Sequence, residues 1–319
     1  MDASWTTRAF GLTVHGNFPA PGFEGRRDPS GTREVNVILV EADRLEGRPP
    51  GAEVVCERST DAGEPLMLIE REASGDYRIH APDYGTFRVA RDGREILVAP
   101  DHPSPWRWQR YLIGQALPLA AILQGVELLH ASAVAIDGLA VGLAGASYSG
   151  KTTIAMALVE QGARLLCDDV LAVEPHGAGL LAHPGPAIVN LRHGSAASLA
   201  AANGASTELG RDDEAIRLHL DAGASATPLA ALYVLHRGGG GQSRPVWEKP
   251  TEGEATLLLA SSFNFIVLAA DRLRRQLDVC ARLAQSADVA VLRLPSDASP
   301  ALVARAVIER LRESVRCAA

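Results

Sequence analysis

The eight residues Gly145-Ala146-Ser147-Tyr148-Ser149-Gly150-Lys151-Thr152 constrain this chain more than any other stretch of it. They match GxxxxGK[ST] in full, with the apolar run LAVGLA before them and the helix-patterned TTIAMALVEQ after. A loop of this kind wraps a polyphosphate with successive backbone N–H groups, which needs glycine where the backbone meets the ligand closely. Lys151 then reaches the β- and γ-phosphates and Thr152 offers its hydroxyl to Mg²⁺, while Thr153 continues a first helical turn whose partial positive charge favours the anion. Residues 145–153 are therefore the expected nucleotide-binding set. A strand before the loop and a helix after it set the class as α/β.

Upstream, ELLHASAVAI runs into Asp137-Gly138 and then into the strand that precedes the loop. Asp-Gly between two apolar runs is a strong two-residue hairpin signal. With Ile136 facing Leu139 across that turn, the register sets His130 opposite Gly145. Facing residues lie about 4.5–5.5 Å apart, so His130 is expected at the phosphate end. Downstream, Gly162 after the apolar-periodic run marks a helix stop, and the strand ARLLC ends in Asp168-Asp169.

Strand, helix, strand predicts a right-handed parallel crossover, with both carboxyl ends on the edge where α/β sheets bind ligands. Asp168 and Asp169 then belong beside the loop. One carboxylate of the pair can take the proton of an attacking hydroxyl as general base, and the other can hold Mg²⁺ directly or through water. The bland alternatives are a helix cap or solvated turn for the two acids and a core position for His130.

Residues 1–103 are broken into short apolar runs by Gly, Pro, Arg and Asp, the pattern of strands and turns. Strands are expected at Phe10–Val14, Val35–Val40, Pro65–Ile69, Tyr77–Ala81, Thr86–Ala90 and Glu95–Val98. Pro100, Pro103 and Pro105 precede a helix-spaced pattern from Trp106 to Leu123, which puts a boundary near residue 103. The expectation is a β-rich N-terminal domain, 1–103, whose lack of catalytic spacings leaves substrate recognition as its role, and an α/β domain, 104–319. The run GGGGQS at 238–243 reads as a mobile surface loop.

A net charge of −7 and a pI near 5.7 argue against sequence-independent nucleic-acid binding, which needs a basic face. No apolar run reaches the roughly 18–20 residues of a membrane span, and MDASWTTRAF has no apolar signal core, so the chain reads as cytoplasmic. Cys56, Cys167, Cys280 and Cys317 are too scattered for a zinc site or a disulfide framework.

The histidine strand and hairpin from His130 to Ala144, the loop GASYSGKT and the strand ending LLCDD together resemble the catalytic domain of HPr kinase/phosphorylase and its wider set of HPr-kinase-like P-loop kinases. The resemblance implies an HPr-kinase-like P-loop domain with a mixed sheet, preceded by a smaller β-rich domain. It implies ATP, or GTP, with Mg²⁺, and a peptide or protein partner whose hydroxyl accepts the phosphoryl group. It also implies catalytic roles for His130 and for Asp168, the latter as proton acceptor from a serine hydroxyl.

HPr kinases assemble as hexamers, which raises a homo-oligomer as a state to check. The segments TPLAALYVL, ASSFNFIVL and VAVLRLPSD, with the opening RAFGLTVHGNFPAPGF, look like short kinase-like relatives of precursor-peptide pathways, including those that phosphorylate lasso-peptide precursors. One departure is plain. HPr kinases carry a glutamate-containing signature after the acid pair, where this chain reads HPGPAIVNLRHGS. That puts reverse phosphorylase activity, and HPr itself as substrate, in doubt. Arg192 in that segment and Arg217 in EAIRLHL are candidates to contact phosphate or an acidic substrate group, against plain surface arginines.

Three functions compete on these residues. A kinase needs a phosphate cradle with its lysine, a Mg²⁺ hydroxyl and a carboxylate at the acceptor, all of which are present. An NTP hydrolase needs a water-positioning glutamate beside a Walker-B strand; FIVLAAD at 265–271 imitates one, but Asp271 reads as the cap of the helix that follows. A nucleotide-sensing or peptide-binding module without chemistry would not need Lys151, Thr152 and the acid pair intact.

Overall fold

The structure is a computed structural model that describes residues 4–20, 22–23, 33–192, 206–211, 215–220, 225–237, 244–251, 266–295 and 297–318. The chain separates into two compact units, one of residues 1–126 and 264–272, the other of 127–263 and 273–319. Among the described residues the architecture is mixed α/β, with sheets of eight, nine and three strands.

The first unit carries β1 (Trp5–Ala9), β2 (Leu12–Gly16), β3 (Glu34–Leu39), β4 (Glu53–Ser59), β5 (Pro65–Arg71), β6 (Tyr77–Ala81), β7 (Gly85–Val89) and β8 (Glu95–Pro100), in the order β1-β2-β3-β8-β7-β6-β5-β4. Two strands escape the apolar-run reading. β4, EVVCERS, is mostly exposed and offers no apolar alternation. β1 and β2 form a hairpin whose turn is Phe10-Gly11, with φ of 56° and 78°, so Phe10 turns the chain instead of opening a strand. Its ring is buried all the same, which is why it reads as strand.

The helix-spaced pattern forms α1 (Pro105–Tyr111), a π-helical turn over Leu112–Ala116, and α2 (Leu117–Leu123). Pro118, with no N–H to donate, stands where the wide turn gives way to α2. This segment belongs to the first unit, so the division falls after Val126, not near 103. Specific contacts tie it there. The Gln124 side chain donates to the carbonyls of Glu34 and Gly93, and Arg33 Nε donates to the Gln124 carbonyl.

In the second unit the run ELLHASAVAI is two strands, β9 (Glu127–Leu129) and β10 (Ala131–Ile136), because the chain changes partners at His130. β9 pairs with β13 (Leu171–His176), whereas β10 pairs with β11 (Leu139–Ala144) and β12 (Arg164–Cys167), antiparallel to both. The hairpin register is the expected one, from Ile136↔Leu139 to Ala131↔Ala144. β11 and β12 are thus parallel to each other with β10 between them, joined by α3 (Lys151–Glu160), which stops before Gly162. β18 (Thr227–Arg237) runs parallel to β11, and β20 (Asp288–Leu294) parallel to β18.

Both faces of this sheet are buried, as near-continuous apolar strands require. On one face Val134, Ile136, Val141 and Leu143 pack with Ile154 and Leu158 of α3 and Val303 and Val307 of α5 (Pro300–Ala318). On the other, Ala131, Ala133 and Ala135 pack with Val279 and Leu283 of α4 (Ala270–Ser286). Each fully buried Ile, Leu or Val contributes about 1.5–3 kcal/mol, so the loop at 145–150 is slung between a strand and a helix that are both anchored in one core.

Three further strands, β15 (Ile188–Arg192), β16 (Ser206–Arg211) and β17 (Ala215–Leu220), form the small sheet in the order β15-β17-β16. Of the residues that imitate a Walker-B strand, 266–269 are not a strand, and Asp271 sits inside the first turn of α4. The GGGGQS run lies outside the described residues. Among the described residues, no helix is long and apolar enough to cross a membrane.

Candidate functional site

The loop between β11 and α3 has the backbone its sequence demands. Gly145 and Gly150 have φ of 144° and 97°, and Gly150 is the residue that opens α3. A Cβ on Gly145 would stand 2.8 Å from both the Leu235 carbonyl oxygen and Ser149 Oγ, so a side chain there would fill the inside of the loop. Tyr148 also takes a left-handed φ, 68°, which costs a non-glycine residue of order 1 kcal/mol or more. Its side chain points outward, 74% exposed, and Ala146 and Ser147 are exposed beside it. Ser149 is the reverse case: its hydroxyl is buried and has no hydrogen-bond partner among the described residues.

Lys151 is 6% exposed and lies folded back on the loop, its Nζ donating to the carbonyls of Gly145 (3.0 Å) and Ala146 (3.2 Å). Burial pushes its pKa down, and the charges of Asp169 and Asp168 push back. A buried ammonium held only by neutral carbonyls is poised for an anion. Thr152 and Thr153, both half-buried, continue the first turn of α3.

Asp168 follows the last residue of β12 and turns its carboxylate to the loop. Its Oδ1 accepts from Ser132 Oγ (2.7 Å) and from Thr152 Oγ1 (2.8 Å); its Oδ2 has only a long contact, 3.4 Å, from the Asn190 backbone N–H. Burial first, and the neighbouring Asp169 second, push the Asp168 carboxyl up to about 7, against the pull of those three donors. Asp169 is exposed, with a left-handed φ of 63°. Its carbonyl lies 3.1 Å from His130 Nδ1. A carbonyl only accepts, so Nδ1 carries the proton in this contact. His130 itself stands one position past the last hairpin pair, at the junction of β9 and β10.

His130, Lys151, Thr152, Asp168 and Asp169, far apart in sequence, therefore meet at the carboxyl edge of β11 and β12. The two arginines separate. Arg217, on β17, is buried and donates from Nε to Asn190 Oδ1 (2.9 Å), so it approaches Asp168 through Asn190 and is not a plain surface arginine. Arg192 closes β15, and its side chain lies outside the described residues.

Sequence reading missed Ser132 and Asn190. Ser132 had a signal: it is a hydroxyl in an otherwise apolar run, two positions from His130. Asn190 had none, because only the pairing of β15 with β17 and its passage beside Asp168 reveal it.

The residues fit a nucleotide and its cation. An orphaned buried hydroxyl at Ser149, a loop interior that a Cβ would fill, and a lysine parked on carbonyls suit a polyphosphate. A threonine hydroxyl bonded to the Asp168 carboxylate, with a second carboxylate on the next residue, is a hard-oxygen donor set, the type that shares Mg²⁺ with substrate phosphates. Among the described residues no group of three or more His, Cys, Asp or Glu is placed to hold a metal ion.

No known family model matches the sequence, and no curated protein matches it. Among solved structures, the chain is similar to the Hpr(Ser) kinase/phosphatase from Coxiella burnetii over 58% of its own length and 97% of that chain, at 17% identity and a TM-score of 0.31.

Proposed function

We propose that this chain is a P-loop kinase of the HPr-kinase-like kind, which moves the γ-phosphoryl group of ATP or GTP to a serine-type hydroxyl on a peptide or protein. The acceptor that the sequence resemblance favours is a biosynthetic precursor peptide, with the β-rich first unit taking part in its recognition. The observation that carries the reading is the state of Asp168. One carboxylate oxygen is fixed by the hydroxyls of Ser132 and Thr152, and the other is left with a single long contact. A carboxyl raised to about 7 is matched to proton transfer near neutral pH, where a general base is most effective.

In this mechanism the loop amides, Ser149 and Lys151 hold the polyphosphate, Lys151 leaving the Gly145 and Ala146 carbonyls to do so. The acceptor hydroxyl oxygen attacks the γ-phosphorus as the bond to the β–γ bridging oxygen breaks, and its proton passes to Oδ2 of Asp168. Thr152 and Asp169 would hold Mg²⁺, which supplies neutralisation of phosphate charge. Thr152 can ligate through oxygen while still donating its proton to Asp168, so the two roles do not compete. Arg217 and Asn190 keep Asp168 aimed.

The test is mass spectrometry of hydroxyl-bearing peptides and proteins, precursor peptides first, after incubation with the full-length chain, ATP or GTP, and Mg²⁺. A mass gain of one phosphate on serine, absent with Lys151→Ala, is the expected result. Acceptor-independent release of inorganic phosphate at an undiminished rate would make the chain a hydrolase.

A further inference from the structure

β5 to β8 align Leu68, His80, Thr86 and Ala99 in one row across the first unit's sheet, and Glu70, Arg78, Arg88 and Leu97 in the next. The two rows share a face, because residues two apart on a strand point the same way. A 3₁₀ turn, Ala42–Leu45, packs beside β7 and β8. Arg78 fastens that turn to the face, donating from Nη2 to the Leu45 carbonyl (3.0 Å). Turn and face border a cavity of about 280 Å³, to which the strands contribute Arg78, His80, Thr86 and Ala99. Leu45, Glu46 and Asp101 complete the part of the lining that decides its chemistry.

The charges in this lining are unequal. Arg78, its side chain 11% exposed, is already paired, with Nη1 3.2 Å from Glu70 Oε2, and Glu70 is shared with the more exposed Arg48. Glu46 and Asp101 are exposed, and among the described residues their carboxylates make no hydrogen bond or ion pair. Two unpaired carboxylates in front of a neutralised arginine favour a cation and repel an anion. Solvated acids are common, and alone they indicate nothing. What singles out this pair is a buried donor in the same lining: Arg78 Nε has no hydrogen-bond partner among the described residues. An unmet buried donor is rare and costly, and a ligand's acceptor removes the cost. His80 Nδ1 lies 3.0 Å from Thr86 Oγ1, which leaves Nε2 without a partner among the described residues.

Size narrows the ligand further. Pockets for drug-sized ligands typically hold about 300–1,000 Å³, so this one suits a single side chain. Leu45 and Ala99, both buried, supply apolar surface for a methylene stem, and long basic side chains lie that way with the charged end toward water. A ligand that offers a cation, a methylene stem and a carbonyl acceptor is a basic residue within a peptide.

We propose that this cavity binds an arginine or lysine of a peptide, with the charged end at Glu46 and Asp101 and a main-chain carbonyl accepting from Arg78 Nε. The proposal rests on the reading of the first unit as taking part in peptide recognition, and it names what that unit reads.

Isothermal titration of the full-length protein at low ionic strength, without nucleotide, tests it. The probes are blocked pentapeptides, Ala-Ala-X-Ala-Ala with X arginine, lysine or glutamine, and n-butylguanidine. The arginine and lysine peptides should bind about tenfold or more tightly than the glutamine peptide. Glu46→Gln and Asp101→Asn should each weaken the arginine peptide by about threefold to fivefold, the yield of an exposed ion pair. Both side chains are exposed and have no partner to lose, so the Tm should hold. Glu41→Gln, an exposed acid just before the turn and outside the lining, should leave affinity unchanged.

Equal affinity for the three peptides overturns the proposal, and so does an arginine-peptide affinity unmoved by both Glu46→Gln and Asp101→Asn. An equal loss in Glu41→Gln overturns it in favour of diffuse charge attraction. n-Butylguanidine bound as tightly as the arginine peptide overturns it in favour of a free organic cation. Arginine-peptide binding that weakens with Glu46→Gln, in a protein that phosphorylates nothing, sinks the kinase proposal and leaves this one standing. Phosphoryl transfer to serine peptides, with no charge-dependent binding, does the reverse.

Discussion

Two aspartates stand at opposite edges of the same set of parallel strands, and their surroundings differ in kind. Asp288 opens β20. Its carboxylate accepts from Arg310 Nε and Nη2 (2.7 and 2.9 Å), Ser314 Oγ (2.8 Å) and Tyr233 Oη (3.1 Å), and the Arg310 hydrogen bonds hold its pKa below the ordinary range. Asp168 follows β12 at the carboxyl edge. Burial first, and the second carboxylate next to it, push its pKa up, and two neutral hydroxyls and a distant amide do not offset them. One acid is compensated and the other is left at high energy, although the same core supports both. Compensation at the amino edge serves stability; an uncompensated carboxylate at the carboxyl edge, where such sheets bind ligands, is what the proposed transfer requires.

The widest expected gap between the two is in chemistry. Asp168→Asn keeps the shape and one acceptor oxygen but cannot take a proton, so phosphoryl transfer should fall by about 10²–10⁴-fold. Mg·ATP affinity should stay within about threefold, under 1 kcal/mol. Single-turnover transfer and titration on the same preparation check both. Near-normal transfer by that variant would remove Asp168 from the mechanism and erase the contrast with Asp288.

Asp288→Asn should do the opposite, leaving transfer in place and costing stability. Breaking a bidentate, partly buried pair with Arg310 forfeits about 2–3 kcal/mol, which for a unit of this size lowers Tm by about 5–10 °C. Thermal unfolding of the two variants side by side is the measurement. A Tm for Asp288→Asn equal to wild type would show that the Arg310 network is surface decoration.

The pH dependence separates them by sign. Asp168 is raised from 3.8 to about 7 in the folded protein, so between those values the folded state holds more protons than the unfolded one. Its contribution to stability therefore falls as pH rises through that window. Asp288 is lowered below 3.8, so its contribution is present above that value and is lost as pH falls through the folded-state pKa. Urea unfolding without Mg²⁺ or nucleotide should show Asp168→Asn flattening the decline toward pH 7 and Asp288→Asn flattening only the acid limb. Identical slopes in the two variants would mean that neither environment is as described.

What was legible in the sequence follows from the range of the interactions. The loop, the Asp137-Gly138 hairpin and its register are set by residues close in the chain, and an alternating strand has only one register that keeps its face buried. The break at His130 was not legible, because it depends on β13 pairing with β9, some forty residues downstream. Ser132 and Asn190 reach Asp168 through tertiary placement. The hairpin turn at Phe10-Gly11 failed for a different reason, since a buried phenylalanine in the left-handed region breaks the link between apolar character and strand. The division after Val126 escaped because prolines mark where an element starts, not which unit it packs in.

The smallest expected effect concerns His130, and it decides how Asp169 is held. Asp169 takes a left-handed φ without being glycine, and His130 Nδ1–H donates to its carbonyl. The imidazole therefore acts through Asp169, as a clamp on a strained residue, and is a positioning residue in this reading. His130→Ala should lower transfer by about tenfold or less, roughly 1.4 kcal/mol of barrier. His130→Asn can set its amide N–H close to where Nδ1–H stood, so it should recover most of that loss, and the pH profile of transfer should keep its inflection in both variants. A proton-carrying histidine predicts the reverse: no rescue by asparagine and a shifted profile. Measuring rate against pH for the two substitutions distinguishes a backbone clamp from a second acid–base group.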